Sequence, residues 1–117
     1  SCHAGEQLTD FSFQNNGLYS SYEDEGRFRL TGEESDRAVF KVPTLRNVAL
    51  TAPYMHDGSI ETLEEVIEHY SSGIEDHPNR SSLVQNLELS SEEKVDLLAF
   101  LHSLTDWDFV ADQKFKP

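Results

Sequence analysis

Two stretches of this chain carry apolar residues at helical spacing, and little else does. Leu63, Val66, Ile67 and Tyr70 follow Thr62-x-x-Glu65, a capping box, and the run stops at Gly73. Ser90-x-x-Glu93 is a second capping box. Behind it Val95, Leu97, Leu98, Phe100, Leu101 and Leu104 cover so wide a face that the helix reads as largely buried. A short helix is expected near Gly32–Arg37, with acids at its start and Arg37 at its end.

The remainder shows no period. Residues 4–32 alternate short aromatic stretches with Asn15-Asn16-Gly17, Gly26 and Gly32. Pro43 and Pro53 bracket a segment with room for a couple of helical turns, and His56-Asp57-Gly58 closes it as a turn. Gly73–Ser82, polar and holding Pro78, reads as a loop. With no strong strand pattern, the predicted class is all-α with long loops. Ordered loops of that length in a small chain tend to be functional.

Composition narrows the partners. At 117 residues the chain suits one domain, and 22 acidic against 9 basic side chains give a formal charge of −13. That balance argues against nucleic acid and against an anionic membrane surface. No apolar run approaches the roughly 20 residues that span a bilayer. With 37% hydrophobic residues the core should be thin, the sort that depends on a staple. The single cysteine, Cys2, excludes an internal disulfide.

The acids around Gly26 do not form an EF-hand. With Gly26 at the sixth loop position the twelfth falls on Gly32, where a bidentate glutamate is required. His56 and Asp57 beside Ser59 suggest a hydrolase, yet no Gly-x-Ser-x-Gly elbow is present; a hydrogen-bonded turn explains them better. Trp107 and Phe109 are expected to pack the C-terminal tail. His69 points to another face of its helix than Tyr70, and a surface position is expected for it. Cys2-His3 matches the last two residues of C-x-x-C-H, the haem c attachment motif, although a dipeptide alone is a weak signal.

A longer pattern strengthens it. Cys2-His3-Ala4-Gly5, Asp10 to Leu18, Phe40-Lys41-Val42-Pro43-Thr44-Leu45-Arg46-Asn47, Leu50 to Gly58, Thr62 to Val66 and Asp96 to Asp106 occur in order. Together they resemble the C-terminal haem domain of bacterial di-haem cytochrome c peroxidases and MauG-type enzymes, over nearly the whole chain.

The resemblance implies a cytochrome c-like haem domain over residues 1–117, lacking its first helix and cut inside C-x-x-C-H. It leaves open whether haem is attached to such a piece. Cys2 would form a thioether and His3 would be the proximal iron ligand. For the second axial position it implies Tyr70, the position where the peroxidases carry methionine and MauG-type enzymes tyrosine, with Met55 as the alternative. Arg46 would pair with a haem propionate, a surface ion pair being the plainer role. The carbonyls of Thr51 and Pro53 would bind calcium between two haem domains.

The implied activity is reduction of hydrogen peroxide to water in the periplasm. Electrons would come from a small c-type cytochrome or another donor, and peroxide would be cleaved in an N-terminal haem domain. This domain would transfer electrons and be inactive alone. A MauG-type oxidation of an organic or protein substrate is the variant that a tyrosine ligand opens; a haem-free acidic binding module is the rival. Without haem and first helix, an apolar groove beside His3 and a homodimer covering it are expected.

Overall fold

The structure, a computed structural model, describes residues 2–115. Among the described residues, four short helices and one small sheet stand between long loops. The antiparallel strands β1 (Phe13–Gln14) and β2 (Phe40–Lys41) pair Phe13 with Lys41 and Gln14 with Phe40. The helices are α1 (Phe28–Thr31), α2 (Leu63–Ser72), α3 (Ser91–Ser103) and α4 (Trp107–Ala111). Short 3₁₀ turns occupy Glu34–Asp36, Val48–Leu50 and Gln113–Phe115. The all-α expectation therefore needs correcting: helices dominate, but a two-stranded ladder is present.

Both predicted capping boxes form. The Thr62 hydroxyl accepts from Glu65 N–H, the Ser90 hydroxyl accepts from Glu93 N–H, and each glutamate reaches back to its cap. Gly73 closes α2, its N–H donating to the His69 carbonyl. The helix expected near Gly32–Arg37 is reduced to the 3₁₀ turn at Glu34–Asp36, and α1 precedes it.

The core is thin, as the composition implies. Leu63 and Ile67 of α2 meet Leu101 of α3, with Val48, Tyr54, Leu97, Leu98 and Leu104 packed around them. Contrary to expectation, α3 is not largely buried: Val95 is 65% and Phe100 51% exposed. Its apolar residues encircle the helix, so α2 and the Val48–Leu50 turn can cover one side only. Trp107 and Phe109 are also exposed and lie in α4.

A second centre is organised by polar atoms. Asn15, 1% exposed, donates through Nδ2 to the Ala38 carbonyl at 2.7 Å and accepts from Gly17 N–H at 2.9 Å. Its own carbonyl accepts from Ser81 N–H at 3.0 Å. Three remote loops are thereby tied at one residue. Nearby, Arg37 grips Glu34 through two nitrogens at 2.8 and 2.9 Å, pairs with Glu25, and stacks over Phe28. Asp24 turns back to accept from Gly26 N–H. These contacts occupy part of the acidic loop that the EF-hand spacing had excluded.

Candidate functional site

Cys2 and His3 sit half-buried at the start of a closed loop. Asp10 N–H donates to the Cys2 carbonyl at 2.8 Å, and Leu8 N–H to the Gly5 carbonyl at 3.1 Å. The Thr9 hydroxyl, buried, donates to Val42 O at 2.8 Å, and Thr44 Oγ1 donates to Gln7 O at 2.6 Å. The loop is thus fastened to residues 42–44. Within it, His3 Nδ1 lies 3.1 Å from the Leu8 carbonyl. A proton on Nδ1 donated to that carbonyl leaves Nε2 with its lone pair free, the tautomer and orientation a metal-binding imidazole requires.

Met55 and Tyr70 come from different elements and meet at one amide. Met55 lies in the turn closed by the Tyr54–Ile60 bridge, with φ +72°, a left-handed conformation unusual for a side chain of this size. Tyr70 is in the last turn of α2. Asn16 Nδ2 donates to Met55 Sδ at 3.3 Å and to the Tyr70 hydroxyl at 3.2 Å. Burial pushes the Tyr70 phenol above its ordinary value, and the Asn16 hydrogen bond opposes that.

His69 does not take the surface position expected of it. It is buried, and Nε2 sits 3.2 Å from the Asn16 carbonyl. Desolvation lowers its pKa, against the pull of the Asn16 and Gly73 backbone. Asn16 was legible only as turn punctuation, because Met55 and Tyr70 lie 39 and 54 positions away.

The turn at 54–60 has the structural character anticipated for it. His56 stacks on Phe40 with centroids 3.9 Å apart and lies 5.6 Å from the Tyr22 ring. Asp57 accepts from the Tyr19 hydroxyl at 2.8 Å and from Ser59 N–H at 3.1 Å. Those bonds pull its pKa down in spite of burial. Thr51 and Pro53 are exposed, the Thr51 hydroxyl donating to Val48 O. Among the described residues no group of three or more His, Cys, Asp or Glu is disposed to hold a metal. Carbonyls at 51 and 53 would need ligands from elsewhere. Arg46 is exposed.

Two clefts are lined by residues of α2 and α3, among them Glu64, Glu68 and Val95, and neither includes His3, Met55 or Tyr70. The donors fit a haem iron. His3 presents a nitrogen, Cys2 is a free thiol, and an oxygen and a sulfur converge at Asn16.

Comparison with known proteins decides the family. The chain is 40% identical over 108 residues to the cytochrome c551 peroxidase of Nitrosomonas europaea, covering 89% of this chain. It is 38% identical over 104 residues to the methylamine utilization protein MauG of Methylorubrum extorquens, covering 88%. The chain belongs to the cytochrome c peroxidase/MauG family. The cytochrome c peroxidase of Escherichia coli is 39% identical over 113 residues, covering 88% of this chain.

A crystal structure of a MauG-like protein associated with microbial copper homeostasis superposes with a TM-score of 0.90 at 38% identity. The match covers 98% of this chain and 44% of that one. No family model matches the chain. The chain spans only 29%, 30% and 22% of the length of these three curated relatives.

Proposed function

We propose that this chain is a haem c-binding, electron-transferring domain of a di-haem peroxidase or oxidase, with His3 and Tyr70 as axial ligands and Cys2 as a point of thioether attachment. The observation that carries the reading is the convergence of Tyr70 Oη and Met55 Sδ on Asn16 Nδ2. Bound haem supplies a one-electron redox centre; its orientation and tuning fall to the side chains.

Leu8 holds the His3 ring by its Nδ1 and so aims Nε2. As a hard anionic donor, the Tyr70 oxygen favours ferric iron and a low potential. Met55, a soft thioether, favours ferrous iron and a high potential. The Met55 reading stands second because its sulfur is almost as near the same amide as the phenol. Arg46, exposed on the segment after Thr44, would meet a propionate.

In the whole protein, the activity is reduction of hydrogen peroxide to water, or oxidation of an organic or protein substrate, in the periplasm. An N-terminal haem domain of the same chain would hold the peroxide-cleaving site, and a small c-type cytochrome would supply electrons. Calcium would bind the Thr51 and Pro53 carbonyls with ligands from that domain. The test is peroxidase turnover of the full-length, haem-loaded protein with a reduced c-type cytochrome. Retained turnover in His3→Gly would remove His3 from the reading, and absence of covalent haem would remove the reading itself.

A further inference from the structure

We infer that Asn16 is the positioning residue that decides between Tyr70 and Met55 as the metal's second axial ligand. The inference rests on the reading of this site as a haem site. Asn16 reaches both competitors with one nitrogen, at 3.2 Å from the phenol oxygen and 3.3 Å from the thioether sulfur. Its backbone is held independently: its carbonyl faces His69 Nε2 at 3.2 Å, and flanking Asn15 is tied to Ala38 and Ser81. Flanking Gly17 has φ +64°, and a Cβ there would come within 2.8 Å of the Glu75 carbonyl. The amide is therefore presented from a fixed backbone.

A shared donor is not a neutral one. An N–H bond to an oxygen that acquires negative charge is charge-assisted and roughly twice as strong as its neutral counterpart. A thioether remains a weak acceptor in every state. The Asn16 amide consequently favours the arrangement in which Tyr70 is the anionic ligand. Without it, the phenol oxygen loses the amide 3.2 Å away, and the uncharged Met55 gains by comparison. Asn16→Asp keeps the shape, removes the donor and sets a carboxylate beside the phenol oxygen.

The test uses the full-length haem-loaded protein, read by absorption, electron spin resonance and reduction potential. The expected result is a parent with no sulfur-to-iron band, and Asn16→Asp and Asn16→Leu variants that gain the band and an upward-shifted potential. The band should vanish again in Asn16→Asp combined with Met55→Leu. Circular dichroism of each variant separates ligand exchange from loss of fold. If both variants fold and keep the parent's spectrum and potential, Asn16 does not select the ligand, while the haem reading survives. A parent that carries the sulfur band, or no covalent haem, overturns the underlying reading first.

Discussion

Asn15 and Asn16 are neighbours with different tasks. The first is buried and completes a polar junction; the second points at the candidate donors. Asn15→Ala would strand the Ala38 carbonyl and Gly17 N–H away from water. The expected loss is about 2 kcal/mol, read as a fall in the urea midpoint with little change in slope. Neither role was legible in Asn15-Asn16-Gly17, since a hydrogen-bonding partner many residues away leaves no local trace. His69 was missed for a related reason: helical spacing separates it from Tyr70, but only the fold brings the 15–17 turn over it.

Burial also gives His69 and His77 a testable pH dependence. Desolvation lowers both pKa values in the folded chain from an ordinary 6.5. Each group binds its proton more readily when unfolded, so its contribution is fully present above about pH 6.5 and lost as pH falls toward the folded value. Urea midpoints should drop between pH 7.5 and 5.5, and the drop should shrink in His69→Gln. A midpoint independent of pH over that interval would contradict the assignment.

At the scale of elements, α2 and α3 were legible because their signals are local. Each capping box lies within four residues, and the apolar stripe follows at once. Thr62→Ala and Ser90→Ala should each cost about 1 kcal/mol in chemical denaturation. Ile67→Ala, at the centre of the contact with α3, should cost more, about 2–5 kcal/mol.

The two-residue strands are held by distant partners, and the 3₁₀ turns, closed by bonds three residues apart, are too short to show a period. Exposure of α3 was misjudged because an apolar count does not say how many neighbours exist to cover it. What covers Val95 or Phe100 is not coded in α3 itself.

Across the whole molecule, acidity is the dominant long-range property. A formal charge of −13 would steer the basic electron donor proposed above. Reduction of the haem-loaded full-length protein by a basic c-type cytochrome should slow steeply as salt rises from low to physiological strength, measured by stopped flow. A rate insensitive to salt would remove the steering role.

Family membership was readable from the ordered motifs, and the 38–41% identities agree with it. The ligand choice was not, because sequence places Met55 and Tyr70 in separate elements while the fold brings both to Asn16.

The most direct test of the central claim is the absorption and electron spin resonance spectrum of the full-length, haem-loaded protein, compared with Tyr70→Phe and Met55→Leu. The account predicts a ferric spectrum without the sulfur-to-iron band, shifted by Tyr70→Phe and untouched by Met55→Leu. A sulfur band that disappears in Met55→Leu, with Tyr70→Phe unchanged, would contradict it and make Met55 the ligand.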